Sequence, residues 1–216
     1  MILKRLLPLI ALASFTLPAI ADSTSDKAIA DIVAAQTKLH ALKSLDANVT
    51  TVTTVSGHTT TSTGIVKCLK PNFLWIQAHV TGHPTLYHIS DGKHYCANNP
   101  KGHWTSVKSD PHGANFRNDL LLWSDFYVLY ATQNAANVVD GADVTVAAKA
   151  VDGHPYEVIT AAQTPNHPLT MAVYIDKSDG LIHRMTVEGG PMHLVETWSN
   201  IKHNPPLSSK DFQPKY

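Results

Sequence analysis

The sequence predicts a mainly β protein: one strongly curved antiparallel sheet of about eleven short strands, with two helices against its concave side. Three observations predict it. Turn signals recur at roughly 8–12-residue spacing. β-Branched residues crowd the region after Asn48. The element order reads helix, six strands, helix, five strands, with no internal repeat and no long linker. At 216 residues and 44% hydrophobic composition, the chain suits a single domain with one core. Its 17 basic and 17 acidic side chains exclude a nucleic-acid binder that works by broad charge neutralisation. They equally give no support to a disordered polyelectrolyte.

The first helix is predicted over Asp26–Leu45, where Ile29, Ile32, Val33, Gln36, Leu39 and Leu42 recur at three- and four-residue steps without Gly or Pro. Ser25 or Asp26 would cap its first turn. Thr50, Thr51, Thr53 and Thr54, interspersed with Val49, Val52 and Val55, then disfavour helix and suit a strand. Ser56-Gly57-His58 is the turn to a second strand, which ends near Lys70. Phe73–Thr81, Thr85–Ser90, Lys93–Ala97 and Trp104–Lys108 follow as strands three to six. The Asp91-Gly92 step between alternating runs is a strong hairpin signal, because both turn residues must accept positive φ.

A second helix is predicted over 115–136. Phe116, Leu120, Trp123, Tyr127 and Tyr130 form its stripe, widened by Leu122, Phe126 and Leu129. The remaining strands are Asp143–Val151, Tyr156–Ala162, Leu169–Asp176, Leu181–Glu188 and His193–Ser199. A curved sheet with a wide apolar helix closes round either a packed core or a cavity, and periodicity does not separate the two.

Residues 1–21 read as a secretory signal peptide. Lys4 and Arg5 precede the apolar run Leu6–Leu17, and Ala19-Ile20-Ala21 supplies the small residues needed for cleavage after Ala21. A membrane anchor would need about 20 uninterrupted apolar residues, and Pro8 and Pro18 break this run. Residues 22–216 would then form one mildly acidic domain in the periplasm. Export favours a disulfide between Cys68 and Cys96. Topology opposes it: strands three apart are about 14 Å apart, and a disulfide needs Cα atoms within about 7 Å. Both alternatives stay open.

Several segments, in order, resemble the periplasmic outer-membrane lipoprotein carrier proteins (LolA-like). They are Leu42-Lys43-Ser44-Leu45 leading to Ala47-Asn48-Val49-Thr50, then Gly64-Ile65-Val66-Lys67 and Lys70-Pro71-Asn72-Phe73-Leu74-Trp75. Ile89-Ser90-Asp91-Gly92-Lys93-His94-Tyr95, the run Ile175–Ile182, Ser199–Asn204 and Phe212-Gln213-Pro214 continue the match. The resemblance implies an incomplete antiparallel β-barrel whose open side is covered by a helical lid over an apolar cavity. It implies a non-enzymatic periplasmic carrier that holds lipoprotein acyl chains or lipid and shuttles them towards the outer membrane. Such a carrier would act as a monomer between an inner-membrane donor and an outer-membrane acceptor. A sensor or interaction module on the same fold, binding a protein partner, is the alternative. Where the family has an Arg that ties the lid shut, this chain has Lys70, whose ammonium lacks the planar fork.

The candidate cavity surface comprises Leu74, Ile76, Ala78 and Val80 on one face of the third strand, or Phe73 and Trp75 on the other. Trp123, Phe126, Tyr127 and Tyr130 of the second helix, with Ile32 and Leu39 of the first, would complete it. The chain has thirteen His, and His79-x3-His83 with His88 invites a metal reading. A strand and a turn do not project those side chains together, and there is no HExxH motif. The reading is therefore no metal and no cofactor. The chain contains neither a GxSxG elbow nor a phosphate-binding loop of the GxxxxGKS/T type, and its three Glu, Glu157, Glu188 and Glu196, fall in strands.

Overall fold

The structure, a computed structural model, describes residues 23–98, 101–108, 139, 141–162 and 169–213. The predicted signal peptide and the predicted second helix, with Trp123, Phe126, Tyr127 and Tyr130, lie outside the described residues. Helix α1 spans Ser23–Ala41. The strands are β1 (Ser44–Val55), β2 (His58–Leu69), β3 (Phe73–Val80), β4 (Leu86–Asp91), β5 (His94–Asn98) and β6 (Trp104–Lys108). β7 (Asp143–Val151), β8 (His154–Ala162), β9 (Thr170–Asp176), β10 (Ile182–Gly189) and β11 (Met192–His203) complete them. One 3-10 turn, Ser209–Phe212, follows.

The eleven strands form one sheet in the order β6-β5-β4-β3-β2-β1-β11-β10-β9-β8-β7. Each half is an antiparallel meander, and the pairing of β1 with β11 joins the halves. β6 and β7 end the sheet on opposite sides, so the barrel is open, as expected. Two hairpins turn on dipeptides with both residues at positive φ: Ser56-Gly57 at 50° and 82°, and Asp152-Gly153 at 51° and 81°. That backbone matches the right-handed strand twist. The register slips between Asp46 and Asn48 and again between Ile182 and Arg184. Such irregularities bend a strand and increase its twist.

α1 starts earlier and stops earlier than its periodicity predicts. Ser25 and Asp26 lie inside the first turn, where the Asp26 carboxylate faces the positive end of the helix dipole. At the other end, sheet pairing overrides helix propensity. Ser44 and Leu45 pair with Leu69 and Cys68 of β2, and the Lys43 N–H donates to Asn204 Oδ1 at 2.7 Å. β1 consequently begins at Ser44 rather than Asn48.

Register assigns the two faces. Leu45, Ala47 and Val49 of β1 sit opposite Cys68, Val66 and Gly64 of β2, and these in turn oppose Leu74, Ile76 and Ala78 of β3. Across β11 and β10 the same face continues through Trp198, Leu194, Met185 and Val187 to Val173, Ile159 and Ala161. These strand residues form one buried cluster with Ala28, Ile32 and Ala35 of α1. Among the described residues, the opposite, outer face carries a small cluster of Tyr156, Val158, Ala172 and Tyr174 and, towards β5, the buried Ile89 and Cys96. It is also capped by Phe212, fully buried, whose ring lies 5.5 Å from that of Phe73.

Candidate ligand-binding face

The helix-facing surface of the sheet is apolar across both meanders. β3 supplies Leu74 and Ile76, both buried, and the half-buried Val80. α1 supplies the fully buried Ile32, with Leu39 half-buried against the same cluster. α1 sits on this face through Ala28, Ile32 and Ala35, with Ile29 and Leu39 partly buried against the same cluster. Every other buried member of the cluster except Val139 comes from a strand. A helix is about 10 Å wide, roughly two strand spacings, whereas the apolar face extends from β3 across to β7.

The sequence offered two faces of the third strand, and the structure separates them. Trp75 does not face α1: it opposes Ile89 and Lys67 on the outer surface, with its ring 5.8 Å from Tyr87. Tyr87 stacks in turn on Trp104 at 5.7 Å. Phe73 lies on the same outer face beneath Phe212. The physical reason is the twofold alternation of a strand: Leu74 and Ile76 take the inner face, so Phe73 and Trp75 take the other.

Cys68 and Cys96 stand as thiols rather than a disulfide. They lie on β2 and β5, and the register turns them to opposite faces. Cys68 opposes Leu74 and then Ser90, whereas Cys96 opposes Ile89 and hence Trp75. Burial pushes the Cys68 thiol up to about 12.

Lys70 reaches the helix. Its ammonium donates to the His40 carbonyl in the last turn of α1, and its backbone N–H donates to the Lys43 carbonyl at 2.9 Å. The last carbonyls of a helix lack internal partners and sit at the negative end of its dipole. A lysine therefore performs this contact without a guanidinium fork. On the opposite flank, Lys38 Nζ donates to the Asp179 carbonyl at 3.3 Å in the β9–β10 turn.

Two polar features were not nominated by the sequence. Glu196 is fully buried on the helix-facing surface of β11. It accepts from Trp198 Nε1 at 2.9 Å and from Thr51 Oγ1 at 3.4 Å. Its alternation with Leu194 and Trp198 along β11 was the available signal. The second feature joins the end of β9 to β10 and β11. His183 Nε2 lies 2.9 Å and His203 Nε2 3.2 Å from Asp179 Oδ2, while His183 Nδ1 lies 3.5 Å from Asp176 Oδ2. Burial pushes the Asp179 carboxyl up, but the His183 hydrogen bond, the Leu181 N–H and nearby His203 outweigh it and hold the group below the usual carboxylate range. Among the described residues no group of His, Cys, Asp or Glu has a metal-holding arrangement. His79 and His83 are not brought together with His88: they stand at the end of β3 and in the following turn, and His88 is on β4 beside Tyr95. No described helix is long and apolar enough to cross a membrane.

No family profile matches the chain, and no curated protein matches it. Solved structures do. MucB aligns at 12% identity over 90% of this chain and 64% of its own, with a TM-score of 0.53. An uncharacterized conserved protein from Thermus thermophilus aligns at 10% identity over 89% and 94%, also at 0.53. A LolA superfamily protein from Nitrosomonas europaea aligns at 11% identity over 88% and 98%, with a TM-score of 0.43. Likeness at this level of identity concerns the fold alone, which in this chain is an open antiparallel sheet with a helix laid on one apolar face.

Proposed function

We propose that the protein is an exported, non-enzymatic carrier that binds acyl chains of lipid or lipoprotein on the helix-facing surface of its sheet. The observation that carries this reading is a broad apolar face, running from β3 to β7, on which the one described helix packs through Ala28, Ile32 and Ala35 with Ile29 and Leu39 beside them. An exposed methylene costs about 0.8 kcal/mol, so a carrier crossing water must supply an apolar concavity of this kind. Leu74, Ile76 and Val80 would contact cargo, with Ile32 and Leu39 above them. The sequence pattern of Trp123, Phe126, Tyr127 and Tyr130 suits a second apolar wall. Lys70 and Lys38 hold the far end of α1 by one hydrogen bond each to a carbonyl. Contacts of that kind open at small free-energy cost compared with a packed core.

The periplasm is the proposed location, on the strength of the signal-peptide pattern ending at Ala21. Native mass spectrometry and organic extraction of protein purified from that compartment test the reading. Co-purifying lipid, or saturable uptake of a fluorescent fatty acid by delipidated protein, is expected. Protein that is empty on isolation and takes up no fatty acid would falsify it.

A further inference from the structure

A cleft of about 390 Å³ opens along one flank of α1, where the helix passes over β8 and the β9–β10 turn. That volume falls in the range of small-molecule sites. Its floor is apolar: Ala34 and Ala35 of α1 and Ile175 of β9. Its lining carries charges of both signs, spread along α1 and the end of β9. Asp31 and Glu157 share a single cation, with Lys27 Nζ at 2.5 Å and 2.6 Å, so two carboxylates leave one negative charge in excess. The basic side chains are Lys38 and Lys177. Neither makes an ion pair among the described residues, and the Lys38 ammonium meets only a neutral carbonyl. Asp176 also borders the cleft, but its carboxylate is taken up by Ser178 and His183.

Gly180 makes room for Lys38. Its φ is +71°, and a Cβ there would collide with Lys38 Nζ. Only glycine lets the lysine lie across this turn. Asp31 and Lys38 are seven residues apart on α1, about 10 Å along the axis. Allowing about 2.8 Å for a charge-assisted hydrogen bond at each end leaves roughly 5 Å between the charges of a bridging ligand. An α-amino acid is shorter than this. An ammonium separated from a phosphate by two carbons fits, and its methylenes would lie on the alanines.

We propose that this cleft binds an aminoethyl phosphate zwitterion, the chemistry of a phosphoethanolamine headgroup. The ammonium goes to Asp31 and Glu157, and the phosphate goes to Lys38 and Lys177. For a lipid source the site rests on the carrier reading, since it would hold the polar end of a cargo whose chains occupy the apolar face. The chemistry of the cleft itself stands apart from that reading.

Amide spectra of the delipidated full-length protein, titrated with O-phosphoethanolamine, test it. Shifts are expected at Ala34, Ala35 and Gly180, with inorganic phosphate alone and ethanolamine alone binding at least tenfold more weakly. Lys177→Gln removes one charge-assisted contact and should weaken binding about tenfold. Ala34→Leu, at an exposed helical position, should do the same by filling the cleft while leaving the melting temperature unchanged. Dihexanoyl phosphatidylethanolamine binding more tightly than the free headgroup supports a lipid source, and equal affinity supports a free small zwitterion. Absence of shifts at those three amides, or phosphate binding as tightly as the zwitterion, overturns the site. Fatty-acid uptake measured on the same sample keeps the two readings apart. Uptake without the amide shifts defeats the cleft alone, and shifts without uptake defeat the carrier alone.

Discussion

At the residue scale, three side chains take roles that the sequence left open or unassigned. Lys70 serves the end of α1 through a single ammonium contact, so Lys70→Ala should speed amide exchange in the last turn, around His40 and Ala41. Lys70→Arg should restore protection, because only a positive donor is needed there. Asp179 has a depressed carboxyl, so its contribution to stability is present above the unfolded value of about 3.9 and is lost as pH falls through the lower folded value. The stability gap between the protein and Asp179→Asn, followed by chemical denaturation, should be open near pH 5 and close in stronger acid. A gap that instead widens below about pH 4 would contradict this assignment. Cys68 is buried with its thiol held at about 12, so it should resist alkylation at pH 8 until the protein unfolds. After denaturation without reductant both cysteines should alkylate, since opposite faces of the sheet hold them apart.

At the scale of elements, the strands were legible and their ends less so. Period-two alternation and the Ser-Gly and Asp-Gly pairs mark the turns between β1 and β2 and between β7 and β8, whereas at β4–β5 Asp91 ends the strand and only Gly92 takes positive φ. The hairpin geometry suggests a direct check. Gly57→Ala puts a Cβ on a residue at φ 82°, which should lower stability by about 1 kcal/mol, read as a shifted denaturation midpoint. α1 was legible by its apolar steps, but its last four predicted residues were not. The competing bonds of Ser44 and Leu45 are to residues far along the chain, and no local pattern records them. The face of β3 was illegible for a different reason. Phe73, Leu74, Trp75 and Ile76 are all apolar, so alternation gives no sign of which pair turns inward. Glu196 was hidden in the reverse way, as an acid at an inward position that accepts from Trp198 on its own strand and from Thr51 only once β11 lies beside β1.

At the scale of the whole molecule, the two faces of the sheet make opposite claims about function. Ile76→Gln should weaken fatty-acid uptake, since the side chain is buried among the helix-facing cluster. Trp75→Leu should leave uptake intact while loosening the Trp75, Tyr87 and Trp104 stack, visible as a loss of near-ultraviolet circular dichroism. The reverse result would place cargo on the outer surface. Ile32→Ala measures how firmly the helix is held: a fully buried isoleucine in a tight core costs about 2–5 kcal/mol on truncation, and a readily lifted helix should fall at the low end.

The middle of this sheet is made from the two ends of the described chain. β1 and β11 pair at its centre, and the Ser44 hydroxyl donates to the carbonyl of Pro205, 161 residues away. Contacts of such separation are slow to form, because a long loop must close before they repay its entropy. Each meander can assemble as it emerges, but the continuous apolar surface exists only after β11 has arrived. On the export route proposed above, the chain would stay translocation-competent until its last strand is across. A version ending before Met192 should remain protease-sensitive however long it is allowed to fold.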